Sequence, residues 1–280
     1  MLTGNTITIE EAIEKMGFGP FQILITVFSG LLWLADAMEL MILSVLAPAV
    51  QCQWGLSHAE AATITSVVFV GFLLGGLIWG VISDIIGRKS TLLIVNIWIL
   101  VFGVLSAIKV AADDPSGKTF GYPWLLSCRF GVGFGAGGTA QAVTYYAEFL
   151  PSKSRGICLV LIEFWWAVGS MFGALLALGV MNSLGWHWYL GIATIPLFLV
   201  LFIFPFVPES ARFYLMKKKH GKAKSVLKKI AWFNKRPLPQ NAMTALFGVT
   251  PAHCGTVKAW KEYDTSVIED CSLKGWTWPK

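Results

Sequence analysis

Two carboxylates stand three residues apart in an apolar run, in Ala35-Asp36-Ala37-Met38-Glu39-Leu40. An acid at the centre of a membrane helix costs roughly 2.5–3.5 kcal/mol on insertion scales, so such residues call for a reason. The i, i+3 spacing projects both from one helix face. Two carboxylates so placed repel unless one carries a proton or a cation lies near, which is the chemistry of a proton or cation site. Two quieter arrangements fit the same residues: a structural ion pair with Arg129, or snorkelling toward the outer surface. Arg129 itself is also suited to holding an anion or carboxylate. Glu163, Trp165 and Trp166 form a second group. An aromatic wall at Trp166 could stack on an organic ligand or hold a cation. Glu163 lies about two turns from the end of its apolar run and could instead snorkel. With 13 tryptophans in the chain, Trp165 and Trp166 could equally belong to an interfacial belt.

Other chemistries find no support in the residue pattern. His58, His187, His220 and His253 fall in loops, at helix ends or in the last segment, and no Ser-His-Asp set, metal-ligand cluster or phosphate loop accompanies them. Cys52, Cys128, Cys158, Cys254 and Cys271 have neither zinc-site nor disulfide-framework spacing. Gly133, Gly135 and Gly138 match G-x-G-x-x-G, but inside an apolar run with no preceding strand, which excludes a dinucleotide fingerprint. The expectation is a protein that is not an enzyme, with no metal and no cofactor beyond a coupled proton or cation. The net charge of +6 gathers in residues 211–236 beside an apolar segment. That is the footprint of a membrane-facing region, not of a nucleic-acid partner.

The elements that must position these residues are membrane helices. Hydrophobic residues make up 55% of the 280-residue chain and charged residues 14%, against about 25% charged in soluble domains. A bilayer core of ~30 Å takes about 20 apolar residues as a helix. Six segments qualify, near 21–46, 60–82, 91–109, 123–147, 157–181 and 187–207, so the expected fold class is all-α and polytopic. Arg88 and Lys89 in the 83–90 connection, Lys153 and Arg155 in 148–156, and the lysines after the sixth span place those segments and both ends of the bundle on the cytoplasmic side. A cleaved signal peptide is not expected, because Glu10, Glu11 and Glu14 stand where a basic region would be needed. The resulting division is a cytoplasmic segment 1–20, a six-helix bundle 21–207, a basic linker 208–240 and an irregular tail 241–280. Within the linker, Ala223, Val226, Leu227, Ile230 and Ala231 recur at helical spacing among lysines. Such a helix could lie on anionic lipid or dock on the cytoplasmic loops.

Between the second and third spans the chain reads Gly80-Val-Ile-Ser-Asp84-Ile-Ile-Gly87-Arg88-Lys89. Gly80 would let helices approach, and Gly87 would permit the tight turn after Asp84. The fourth span reads Arg129-Phe-Gly131-Val-Gly133-Phe-Gly135-Ala-Gly137-Gly138, which gives Gly131/Gly135 and Gly133/Gly137 as small-residue packing faces. Glu148-Phe-Leu-Pro151-Ser-Lys-Ser-Arg155 and Pro208-Glu209-Ser210-Ala211-Arg212 follow the fourth and sixth spans. Together these segments resemble the major facilitator superfamily, in its sugar and organic-ion branch. Glu10-Glu-Ala-Ile-Glu-Lys-Met-Gly-Phe-Gly-Pro-Phe-Gln22, Ala35-Asp-Ala-Met-Glu-Leu-Met-Ile-Leu-Ser44, Tyr146-Ala-Glu-Phe-Leu-Pro151 and Leu184-Gly-Trp186 narrow it to the synaptic vesicle 2-related group, kin of organic ion transporters. Ala211 stands where that branch's motif has proline.

The likeness covers about residues 8–240, which implies the first half of a twelve-helix fold. The resemblance implies a transporter of small organic solutes or ions by alternating access, here a truncated half that needs a second half-bundle or a homodimer. The alternative it leaves open is a vesicle-membrane binding or regulatory protein without transport. It implies cavity positions for Asp36, Glu39 and Trp166, and Arg129 and Glu163, read from the residues themselves, complete the candidate substrate or ion site. It also implies a gating network of Asp84, Arg88, Glu148, Arg155, Glu209 and Arg212, whose plain reading is a set of solvated loop charges. The membrane would be that of synaptic or other intracellular vesicles, or the plasma membrane, with lipid as the surrounding partner.

Overall fold

The structure is a computed structural model, and it describes residues 9–108 and 119–237. The 241–280 tail and most of the 110–122 loop lie outside the described residues. In chain order the helices are α1 (Ile9–Met16), α2 (Pro20–Trp54), α3 (His58–Ile86), α4 (Arg88–Ala107), α5 (Gly121–Ala136), α6 (Gln141–Ala147), α7 (Ser152–Val180), α8 (Trp186–Ala193), α9 (Ile195–Ile203), α10 (Ala211–Met216) and α11 (His220–Phe233). A short 3₁₀ turn, Phe204–Phe206, follows α9. The described residues contain no strand. The described residues divide into two compact units: one within residues 24–148 and 156–208, and one of residues 9–23, 149–155 and 209–237.

The first of these units holds the apolar helices. Among the described residues, five segments are long and apolar enough to cross a membrane: α2, α3, α4, α7 and the stretch Trp186–Phe206. The six expected spans are all present as helical chain, but the fourth is interrupted. Helix α5 stops at Ala136 and α6 starts at Gln141. Between them the backbone tightens, Gly138 N–H bonding to Gly135 at 2.8 Å and Thr139 N–H to Ala136 at 3.1 Å. These are i→i−3 bonds of the 3₁₀ kind, and paired glycines allow the change of pitch. The sixth span is likewise built in pieces, α9 starting at Ile195-Pro196 after Thr194.

Small residues set the helix spacing. A methyl group on Gly75 would overlap the Phe134 carbonyl, and one on Gly133 would overlap the Val68 carbonyl. Helices α3 and α5 therefore meet backbone to backbone. Gly131 and Gly135 turn the other way, against Phe102 and Ile99 of α4. The expected close approach at Gly80 does not occur: a methyl there would meet only the Gln141 side chain, at 3.9 Å. Gly87 does carry the turn, at φ 110°, as the single residue between α3 and α4.

Two apolar clusters fill this unit. One packs Met38, Ile42 and Leu46 of α2 with Leu125 of α5 and Tyr189 and Leu190 of α8. The other packs Ala35 of α2 with Trp79, Val95, Ile99, Val132 and Leu197. The stretch 35–39 of α2 thus passes from one cluster to the other. Outside them, α3 exposes Phe69, Leu73, Leu77 and Val81, and α7 exposes Val160, Leu161, Phe164 and Leu175. Apolar side chains exposed along whole helices are suited to lipid or to another apolar body.

The second unit gathers short amphipathic helices. Ile9, Ala12, Ile13 and Met16 form the buried face of α1, and Ala223, Val226, Leu227, Ile230 and Ala231 that of α11. Helix α11 packs on α10 and α1. Asn234 ties the unit together: its Oδ1 accepts the Phe21 N–H at 3.1 Å and its Nδ2 donates to Gln22 Oε1 at 2.8 Å. Gln22 Nε2 donates in turn to the Phe149 carbonyl at 3.3 Å.

Candidate functional site

Asp36 and Glu39 are 4% and 5% exposed. Neither lies on the outer surface of the bundle. Arg129 reaches them from α5 and is 1% exposed. Its Nη1 donates to Glu39 Oε2 at 3.2 Å, and its Nη2 donates to Ser106 Oγ of α4 at 2.5 Å. Ser106 is fixed by its own bond to the Gly103 carbonyl at 2.6 Å. Three helices therefore supply one buried cluster. Asp36 sits one turn before Glu39, and the Thr139 side chain, from the break in the fourth span, interacts with its carboxyl. Asp36 Oδ1, Glu39 Oε1 and Arg129 Nε have no hydrogen-bond partner among the described residues.

The charge count is uneven. One guanidinium faces two carboxylates, so with both acids ionised the cluster holds a surplus negative charge in an apolar interior. Burial of an uncompensated charge is costly, and open hydrogen-bonding valences add to that cost. A proton or a cation balances the count. The ion pair between Glu39 and Arg129 is present as such.

A second group forms between α2 and α7. Trp33 Nε1 donates to Glu163 Oε2 at 3.3 Å. The rings of Trp33 and Trp166 lie 5.4 Å apart and tilted by 54°. Glu163 is exposed and both rings are half-buried. Trp165 points differently, its indole packing flat against Gly30 of α2. Trp33 gave no signal in the sequence, since a tryptophan in an apolar run is unremarkable. Its position one turn before Asp36 places it on the same helix as the acid pair.

The family model for "Sugar (and other) transporter" matches residues 32–253. The chain belongs to this transporter family. The matched stretch runs past residue 240, where the resemblance read from the sequence ended. Among curated proteins, the chain is 46% identical to the synaptic vesicle 2-related protein of Bos taurus over 237 residues, covering 85% of this chain and 41% of that protein. It is 40% identical to organic cation/carnitine transporter 7 of Arabidopsis thaliana, covering 88% of this chain and 47% of that one. The chain thus spans less than half the length of these relatives. Among solved structures, the partially occluded inward-open form of the xylose transporter XylE from E. coli superposes with a TM-score of 0.68 at 22% identity. That match covers 81% of this chain and 56% of that one. The fold is the major facilitator fold over part of its length, and the chain is a multi-pass membrane protein.

In this transporter-family chain the charged motif between α3 and α4 is assembled around Arg88. Its Nη2 pairs with Asp84 Oδ1 at 3.0 Å and its Nε with Glu148 Oε1 at 3.6 Å. Its Nη1 also donates to Gln141 Oε1 at 2.7 Å and to Ser83 Oγ at 3.2 Å. Gln141 opens α6, just past the break in the fourth span, so Arg88 grips the short helix from both its ends. The sequence did not single out Gln141. Its signal was faint: a lone amide in an apolar run.

The other three members of the expected network belong to the second unit, where each makes a local contact. Arg212 pairs with Glu10 of α1. Glu209 Oε1 accepts the Ser210 N–H at 3.0 Å, and Arg155 donates to the Leu150 carbonyl at 3.4 Å. Burial, with nearby Glu209 adding to it, pushes the Tyr214 phenol above its ordinary range. Glu14 of α1 pairs with Lys153 at 3.5 Å. These bonds draw the acidic face of α1 to the basic segments of the same unit.

Proposed function

We propose that this chain is the first six-helix half of a small-organic-solute transporter that works by alternating access, with Asp36, Glu39 and Arg129 as its proton- or cation-coupling centre. The observation that carries the reading is the buried cluster of two carboxylates and one guanidinium with unfilled valences. A proton arriving at the cluster balances its charge, and loss of that proton reopens the imbalance. Coupling follows if only one gating state admits water to the pair. Glu163, Trp33 and Trp166 supply the solute contact. A carboxylate beside two indole faces suits an organic cation, which agrees with the printed name of the Arabidopsis relative. Arg88, Asp84 and Glu148 close the gate on the side that the Lys/Arg asymmetry assigns to the cytoplasm. Both ends of the bundle are on that side, and the membrane is that of an intracellular vesicle.

A second reading keeps the Trp33, Glu163 and Trp166 contact but no transport cycle. A six-helix body with no partner half would bind without transporting, as a vesicle-membrane binding or regulatory protein. Uptake of labelled carnitine, tetraethylammonium and xylose into proteoliposomes separates the two. Transport requires pH-gradient-driven uptake of at least one solute, lost in Asp36→Asn and in Glu39→Gln. Saturable binding of a solute with no uptake and no proton movement supports the second reading.

A further inference from the structure

Residues 211–236 contain ten Lys or Arg and no Asp or Glu. The structure sorts them onto a surface. On α11 the buried face is Ala223, Val226, Leu227, Ile230 and Ala231. The opposite face carries Lys222, Ser225, Lys229 and Trp232, which recur at i, i+3, i+7 and i+10 and so line up along the helix. Trp232 is 75% exposed, and Met216, which ends α10, is 66% exposed. Lys217, Lys218 and Lys219 follow Met216 directly and are exposed, as are Lys235 and Arg236 after Trp232. Each helix thus carries a large exposed apolar side chain in its last turn, close in sequence to a group of cations.

The backbone gives a second, independent observation. Lys218 and Lys235 are left-handed, at φ 55° and 50°, and no other non-glycine described residue has positive φ. Both lie just past a helix end, where glycine is the inexpensive choice. A lysine at each place is strained for its backbone, and strain of this kind points to use of the side chain. An exposed indole or thioether beside exposed ammonium groups is the composition of an interfacial anchor: apolar groups enter the headgroup boundary while cations meet lipid phosphates.

We propose that the exposed face of α10–α11 is a docking surface for an anionic lipid bilayer, recognising phosphate and carboxylate headgroups through Lys217–Lys219, Lys222 and Lys235 and inserting Met216 and Trp232. The charge complementarity is one-sided, because nothing acidic interrupts the stretch. Polybasic segments directly following a membrane span are attracted to anionic leaflets, and α10 starts a few residues after Phe206. The transport reading above is not needed for this surface, and nanodiscs display both leaflets, so the test does not depend on orientation.

The whole chain is placed in nanodiscs of phosphatidylcholine, with and without phosphatidylglycerol, whose headgroup has no amine, and the rate of amine-reactive labelling at Lys217, Lys218, Lys219, Lys222 and Lys235 is followed by mass spectrometry. Slower labelling with phosphatidylglycerol, reversed by salt, is expected. In K218G/K235G the affinity for the anionic surface falls about fivefold for each lysine removed, while the thermal midpoint holds or rises because glycine suits both backbones. Trp232→Ala lowers protection of Lys235 in the same discs. Equal labelling in the two kinds of disc overturns the proposal, as does protection unchanged in the double variant. Equal protection by inorganic phosphate or inositol hexakisphosphate in phosphatidylcholine discs also overturns it, assigning the surface to a soluble anion.

Discussion

Inside the apolar bundle Glu39 and Ser106 meet the Arg129 guanidinium from two other helices. Removing only the guanidinium leaves Glu39 buried beside Asp36 with no counter-charge. Arg129→Met is therefore expected to cost about 3–5 kcal/mol, read as a large drop in the melting midpoint of the purified chain. Glu39→Leu with Arg129→Met removes both charges together, and most of that loss should return. If the double variant melts no higher than Arg129→Met, the pair is not what holds the cluster. At this scale the acids and the arginine were legible from the sequence, since a charge in an apolar run is conspicuous by its cost. Ser106, Trp33 and Gln141 were not. Serine, tryptophan and a lone amide are tolerated in membrane helices, so only their neighbours in space give them a role. Glycine misled in one place, because its freedom of approach at Gly80 is left unused.

Among the helices, the closest fit is between α3 and α5, where Gly75 and Gly133 each lie under a carbonyl of the partner. A backbone cannot give way as a side-chain tip can. Gly75→Ala and Gly133→Ala are each expected to destabilise the fold by about 1–3 kcal/mol. Gly80→Ala, with open space before Gln141, should fall within about 0.5 kcal/mol of the parent. Melting of the three variants in one detergent checks the order, and a Gly80→Ala loss equal to the others would mean that α3 packs differently. Apolar run length made the six spans legible, and the glycine pairs of the fourth span foretold its packing faces. The break at Gly137–Ala140 was hidden. Hydropathy counts apolar surface and is blind to hydrogen-bond register, whereas the break is a change from i→i−4 to i→i−3 bonding that leaves the apolar run intact. The same holds for α11: its apolar stripe was legible, but not that the stripe packs on α10 and α1.

For the whole chain, the proposal that both ends of the helical bundle lie on one side of the membrane rests on the asymmetry of Lys and Arg. The connection from α2 to α3, residues 55–57, has neither residue, while the α3–α4 turn carries Arg88 and Lys89, and Lys153 and Arg155 open α7. Native cysteines make the consequence measurable. Cys52, near the end of α2, is exposed, whereas Cys128 and Cys158 are buried. In a chain carrying Cys254→Ser and Cys271→Ser, a membrane-impermeant maleimide applied to the non-cytoplasmic side of sealed vesicles should label Cys52 and spare the two buried thiols. Adding Lys153→Cys places a thiol at a side chain that is 88% exposed. That thiol should react only after the vesicles are opened, and Cys52 should already be saturated by then. By the sequence reading three spans, the second to the fourth, separate the two positions, an odd number that puts them on opposite sides, so one experiment orients the entire bundle. Labelling of position 153 in sealed vesicles with Cys52 protected would reverse the orientation and, with it, the side proposed for the gate at Arg88. Labelling of both before opening would mean that the spans do not alternate as the apolar runs require.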